Sequence, residues 1–95
     1  MTIILPKAPL YYKLLRRLKM KELNIKLSTI DDVKSFVNAV TRFSGDADLS
    51  SGRYVVDAKS IMGIFSLDLA NPIKLTIVDG NADELIADIK AFIVD

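Results

Sequence analysis

One mid-chain stretch is short and apolar, yet it opens with a serine and carries a glycine: Lys59-Ser60-Ile61-Met62-Gly63-Ile64-Phe65-Ser66-Leu67-Asp68-Leu69. Ser60 precedes a run of apolar residues, where its hydroxyl can act as a helix N-cap and accept from an early backbone N–H. The large apolar side chains that follow are too closely spaced to point in one direction. The stretch therefore predicts a short helix that leaves some of these side chains facing water or a partner.

Within this stretch a family resemblance is evident. The segment from Lys59 to Leu67 closely resembles Lys-Ser-Ile-Met-Gly-Val-Met-Ser-Leu of HPr, the small phosphocarrier of the bacterial phosphoenolpyruvate:sugar phosphotransferase system. The resemblance extends over residues 20–95 as a pattern of elements. In that family the serine matching Ser60 is the target of a regulatory ATP-dependent kinase, and the apolar helix behind it docks partners. The resemblance implies an HPr-like domain over residues 20–95 with a regulatory phosphorylation site at Ser60.

Composition limits the chemistry that the chain can perform. A length of 95 residues suits a single domain with its own core. The chain has no cysteine, which suits a reducing cytoplasm, and no histidine, the commonest metal ligand and general base. The remaining residue types form no catalytic constellation and no metal site. We therefore expect a cytoplasmic protein that is not an enzyme and needs no cofactor or metal. The resemblance to HPr implies that it is bacterial.

Charge is divided unevenly along the chain. Residues 1–20 carry five basic side chains and no acidic one, which gives +5. Residues 21–95 carry eight basic and twelve acidic side chains, which gives −4. A mildly acidic globular part argues against nucleic acid as a partner.

The basic N-terminal segment, residues 1–19, has leucines at helical spacing at positions 10, 14, 15 and 18. Three interpretations are open: an extension with little structure ahead of a natural start at Met20, a short helix packed on the domain, or a helix lying on an anionic membrane. One short helix with a single leucine stripe binds lipid weakly, so membrane contact by residues 1–19 is the least favoured.

Hydrophobic periodicity predicts the remaining elements. Alternation of apolar and polar residues predicts strands at 22–28, 47–49, 53–58 and 73–78. Apolar residues at three- and four-residue steps predict helices at 30–43 and 82–93, on either side of the short helix after Ser60. The order β-α-β-β-α-β-α is that of HPr. It implies an α+β open-faced β-sandwich, with a four-stranded antiparallel sheet and three helices on one face.

The histidine motif of the family is missing. The resemblance places the phosphorylated histidine between the first strand and first helix, within Gly-Leu-His-Ala-Arg-Pro, and the family's spacing puts Thr29 at the histidine position and Asp31 at the arginine position. Thr29 also suits an N-cap, with Asp32 as its capping-box partner. Two carboxylates in the first turn repel a phosphate by around 1 kcal/mol each. We therefore predict that Thr29 caps the helix and that the chain has no catalytic residue.

Ser60 and its neighbours each have two interpretations. Ser60 is either an N-cap alone, worth roughly 1 kcal/mol, or also a phosphoacceptor whose phosphate is held by backbone N–H groups and Lys59. Ile61, Met62 and Phe65 are either satellite core or a partner-binding patch. Lys59 is predicted to bind partners together with them. By resemblance, the partners are the first enzyme of the phosphotransferase system, the serine kinase and a carbon-control transcriptional regulator.

Three functions are compatible with these features. The first is a regulatory HPr-like protein that acts through protein contacts around Ser60 and transfers no phosphate through histidine. The second is a functional or vestigial phosphocarrier in sugar uptake. The third is a membrane-surface or assembly adaptor that uses the basic N-terminal segment.

Overall fold

A computed structural model of the chain describes residues 20–94. The basic N-terminal segment lies outside the described residues. Within residues 20–94 the strands and helices, in chain order, are β1 Lys21–Ile25, α1 Ile30–Arg42, β2 Ala47–Ser51, β3 Tyr54–Asp57, α2 Ile61–Phe65, β4 Ile73–Ile77, α3 Ala82–Asp88 and, after a 3-10 turn at Lys90–Phe92, β5 Ile93–Val94.

The strands form one antiparallel sheet in the order β3-β2-β4-β1-β5. One row across the sheet joins Leu23, Leu75, Leu49 and Val56, and these side chains belong to or pack against the core beneath the helices. Side chains alternate between the two faces of a strand, so polar residues such as Lys74 occupy the other face. The predicted α+β fold with helices over one face of an antiparallel sheet is confirmed.

The C-terminal stretch differs from the prediction. Its apolar pattern predicted one helix through Ile93, but α3 ends at Asp88 and the chain continues into a fifth strand beside β1. Ile93 pairs with Ile25, and the Lys26 N–H donates to the Phe92 carbonyl at 2.9 Å. Two β-branched residues suit a strand, and their pairing satisfies part of an edge of β1 that would otherwise be free. The sheet therefore has five strands where four were predicted.

The core lies between the sheet and the helices. Helix α1 buries Val33, Phe36, Ala39 and Val40, and the Phe36 ring meets Phe92 edge to face with centroids 6.3 Å apart. Ile30, the first residue of the helix predicted at 30–43, is 62% exposed. It begins the helix one turn before Val33, the first residue of α1 that the core covers.

Candidate functional site

Ser60 lies between the end of β3 and the start of α2. Its hydroxyl oxygen accepts from the Gly63 backbone N–H at 3.1 Å, and its own N–H donates to the Asp57 carbonyl at 3.0 Å. Its φ and ψ of −99° and 102° are extended, as an N-cap requires. The side chain is half-buried. The structure therefore confirms the predicted cap and leaves part of Ser60 within reach of solvent.

Gly63 allows α2 to pack closely against β3. A Cβ at this position would lie 3.0 Å from the Val56 Cβ and 3.1 Å from the Ser60 hydroxyl oxygen. Both separations are tighter than ordinary van der Waals contact, so a larger residue would push the helix from the strand and disturb the cap. The glycine therefore serves the placement of Ser60 as well as the packing of α2.

Lys59 connects the start of α2 to the end of α1. Its ammonium nitrogen donates to the Phe43 carbonyl at 2.9 Å, and its backbone N–H donates to Asp57 Oδ1 at 2.9 Å. A cation suits the C-terminal end of a helix, where free carbonyls carry partial negative charge. The predicted role for Lys59, holding a phosphate on Ser60, would therefore compete with a hydrogen bond that this amine already makes.

The short helix presents an apolar patch, which we define as Ile61, Met62 and Phe65. Met62 is 77% exposed and Phe65 is 43% exposed, whereas Ile61 is half-buried and packs against the core. Ile64, two residues from Met62 and therefore on the other side of the helix from it, is fully buried and anchors the helix. Met62 and Phe65 are three residues apart, so they lie on the same side of the helix. The patch is thus an exposed apolar surface directly beside Ser60.

The start of α1 is closed by a reciprocal capping box. The Thr29 hydroxyl accepts from the Asp32 N–H at 3.0 Å, while Asp32 Oδ2 accepts from the N–H groups of Ser28 and Thr29 at 2.9 and 3.1 Å. Asp31 is exposed in the same first turn. The carboxylate of Asp32 thus binds the N–H groups of Ser28 and Thr29 and places a negative charge at the start of α1.

The structure keeps Thr29 and Ser60 apart. Lys59, the neighbour of Ser60, binds Phe43 at the C-terminal end of α1, whereas Thr29 caps the N-terminal end. A helix of this length spans about 20 Å, at roughly 1.5 Å per residue. The two predicted positions are therefore separate sites rather than parts of one centre.

Sequence reasoning missed one feature beside Ser60 and one on the strand that precedes it. The bond from Lys59 to Phe43 joins residues far apart in the chain and leaves no local sequence signal. Tyr54 and Val55 are also exposed, at 71% and 64%, on the edge strand β3. Their aromatic and β-branched character identified a strand, but only the strand order shows that it lies at an edge.

Residues 20–94 contain neither a metal-binding cluster nor a membrane-spanning helix. No group of three or more acidic, histidine or cysteine side chains in this part is placed to hold a metal ion. None of its helices is long and apolar enough to cross a membrane.

Replacing Ser60 with alanine is expected to lower the free energy of unfolding by about 1 kcal/mol, because the Gly63 N–H loses its capping acceptor. Urea denaturation measures the change. Ser60→Asp is the matched control, since aspartate also caps helices and should retain most of the stability. Equal stability of the alanine and wild-type proteins would show that the bond to Gly63 contributes nothing to folding.

Comparisons with known proteins agree with the fold described above. Residues 32–95, more than half of the chain, match the family model described as the PTS HPr component phosphorylation site. The crystal structure of HPr-C-His from Thermoanaerobacter tengcongensis is similar, with a TM-score of 0.64 and 28% identity over 76% of this chain and 86% of that chain. The phosphocarrier protein HPr from Bacillus anthracis str. Ames gives 0.64 and 27%, over 79% of this chain and 98% of that one.

No curated protein sequence matches the chain significantly. The family model and the two structures nevertheless agree with one another. The chain belongs to the HPr family of the phosphoenolpyruvate:sugar phosphotransferase system.

Proposed function

We propose that this chain is a regulatory HPr-like protein of the bacterial cytoplasm, which acts through protein contacts around Ser60 and transfers no phosphate through histidine. The observation that carries the proposal is the contrast between the two helix starts. Ser60 caps α2 beside an exposed apolar patch, whereas Thr29 is locked in a capping box with Asp32. The proposed function therefore retains the family's regulatory serine site, at Ser60, and lacks its histidine site, at Thr29.

The proposed switch is phosphorylation of Ser60 by an ATP-dependent kinase. The Ser60 oxygen would attack the γ-phosphorus of ATP, ADP would leave, and a base of the kinase would take the hydroxyl proton. The product carries about two negative charges at neutral pH. Its oxygens can still accept from the Gly63 N–H, so the cap of α2 is compatible with the modification.

The proposed partner surface is the apolar patch together with Lys59. Met62 and Phe65 expose large apolar area to solvent, and a flexible methionine adapts to partners of different shape. By family resemblance the partners are proteins of the phosphotransferase system, its serine kinase and a carbon-control regulator. A phosphate beside the patch would favour a partner with basic side chains and repel one with acidic side chains.

Intact mass after incubation with the family's serine kinase and ATP tests the proposal. One added phosphate is expected on the wild-type protein and none on Ser60→Ala. Met62→Asp should slow the modification by at least tenfold if the kinase docks on the patch, because a charge in an apolar contact is costly. Because Met62 is largely exposed, that variant should remain as stable as the wild type.

Phe65→Asp is avoided as a probe because Phe65 is more than half covered and its loss could weaken α2 itself. An unmodified wild-type protein would contradict the switch. Equal rates for the wild type and Met62→Asp would show that the kinase does not use the patch.

A further inference from the structure

The outer edge of β3 is open in the part of the chain that the structure describes. Strand β3 stands at one end of the sheet order, so within residues 20–94 it pairs with β2 alone. Edge strands of soluble proteins are commonly protected by lysine, proline or a bulge. Tyr54–Asp57 contains neither lysine nor proline, and its register with β2 is uninterrupted. The outer edge of β3 therefore suits pairing with another strand.

The backbone of β3 presents hydrogen-bonding groups to this open edge. The Ala58 N–H donates to the Ala47 carbonyl at 2.9 Å, so the backbone of Ala58 points toward β2. Backbone groups alternate in direction along an antiparallel strand. Those of Val56 therefore point toward β2 as well, whereas those of Val55 and Asp57 point away from it. The N–H and carbonyl of Val55 thus face the open edge.

The side chains along this edge are largely apolar and exposed. Tyr54 is 71% exposed and Val55 is 64% exposed, while Val56 is half-buried and packs against the core. Side chains alternate between the faces of a strand, so Tyr54 shares the helix-covered face with Val56 and Val55 lies on the open face. A second strand laid against β3 would therefore cover apolar surface on both faces of the sheet.

The sequence of β3 is complementary to itself in the antiparallel direction. Arg53 and Asp57 stand two positions before and two positions after Val55. If two copies of β3 pair with Val55 opposite Val55, Arg53 of each copy meets Asp57 of the other. Tyr54 of each copy then meets Val56 of the other. Opposite charges and aromatic–β-branched pairs across two strands are both favourable. Moving the centre by one residue places Arg53 or Asp57 opposite Val55 and loses both ion pairs.

We propose that the open edge of β3 pairs with the same edge of a second copy of this chain, in an antiparallel register centred on Val55. The two Val55 N–H groups donate to the Val55 carbonyls of the opposite copy, and the two five-stranded sheets become one. Asp57 Oδ1 accepts from the Lys59 N–H, and a carboxylate retains further acceptor positions for the Arg53 guanidinium. This pairing goes beyond the proposed function and needs no phosphate on Ser60.

Sedimentation of the full chain over a range of concentrations tests the pairing. One pair of short strands is a small interface, so we expect dimers at concentrations on the order of 0.1–1 mM. Val55→Lys places two like charges directly opposite each other and should raise the dissociation constant on the order of tenfold. Because Val55 is exposed, this variant should keep the fold of the monomer. Ile30→Lys, at the exposed start of α1, adds the same charge and should leave association unchanged.

A single cysteine locates the register. The chain has no cysteine, so Val55→Cys introduces one thiol per copy. In the proposed register the two thiols face each other with Cα atoms about 5.5 Å apart, a separation that a disulfide spans. Mild oxidation should therefore convert Val55→Cys into a covalent dimer, which a non-reducing gel detects. Ile30→Cys is the matched control and should form a covalent dimer at least tenfold more slowly.

Several results would overturn the pairing. A full chain that stays monomeric at about 1 mM has no such dimer. Equal dissociation constants for the wild type and Val55→Lys would place any association elsewhere on the surface. Association that Met62→Asp abolishes and Val55→Lys preserves would show that the copies meet through the apolar patch. Equal oxidation rates of Val55→Cys and Ile30→Cys would exclude the register centred on Val55.

Discussion

Incubation with phosphoenolpyruvate and the first enzyme of the phosphotransferase system is expected to leave this protein without any transferred phosphate. The chain has no histidine, so it cannot form the phosphoramidate that passes phosphate onward. A phosphoester on Thr29 would be too stable to serve as a carrier. A histidine-bearing HPr is expected to take up labelled phosphate under the same conditions, whereas this protein is expected to take up none. Radiolabelled phosphoenolpyruvate measures the transferred phosphate directly.

The geometry around Thr29 explains why a histidine alone would not restore transfer. Asp32 accepts from the N–H groups of Ser28 and Thr29, and its carboxylate places a negative charge at this helix start, where it repels a phosphate. Asp31 adds a second exposed carboxylate in the first turn. Each carboxylate repels a phosphate by around 1 kcal/mol at an exposed site of this kind.

Two variants distinguish the effect of the missing histidine from the effect of the two carboxylates beside its position. Thr29→His is expected to accept little label, whereas Thr29→His combined with Asp31→Arg and Asp32→Ala should accept more, because the two carboxylates are gone and one cation is gained. The HPr from Bacillus anthracis serves as the positive control. Phosphoenolpyruvate-dependent label on the wild type that persists in Ser60→Ala would contradict the prediction and support a working carrier.

Local features of the fold could be predicted from the sequence because their causes lie within a few residues. Thr29 and Ser60 cap helices as predicted, and each accepts from a backbone N–H three residues later. The alternation of apolar residues likewise identified β4 and most of β1. Such bonds and patterns depend on neighbours in the chain, so the order of residues is enough to find them.

Features that depend on distant residues could not be predicted in this way. Strand β5 exists because Ile93 meets Ile25, and the apolar spacing of that stretch fits a helix equally well. At the candidate site, helical spacing alone did not decide which side of α2 would be covered. Packing against the core buries Ile64 and leaves Met62 in solvent. The cap of Ser60 was thus predictable, whereas the exposure of the patch required the tertiary structure.

Replacing Gly45 with alanine is expected to destabilise the domain by at least 3 kcal/mol, because overpacking against fixed backbone costs more than the usual 1–3 kcal/mol. A Cβ at Gly45 would overlap the Asp79 carbonyl group and lie 2.8 Å from the Gly80 Cα. Gly80 has a φ of +94°, and a Cβ there would lie 2.7 Å from the Phe43 ring. The connection from α1 to β2, which contains Gly45, crosses the connection from β4 to α3, which contains Gly80, with no room for a side chain. The backbone must therefore move to accept an alanine.

Gly52→Ala is the matched control for that substitution. Gly52 has a φ of +60° but nothing within 4 Å of a Cβ, so alanine there should cost only the left-handed backbone penalty of about 1 kcal/mol. Guanidinium denaturation of both variants measures the difference. Movement at Gly45 would also displace Phe43, whose carbonyl holds Lys59 beside Ser60. Equal stability of the two variants would show that the backbone at Gly45 and Gly80 can move at no cost. This contact would then not position the end of the sheet that carries Ser60.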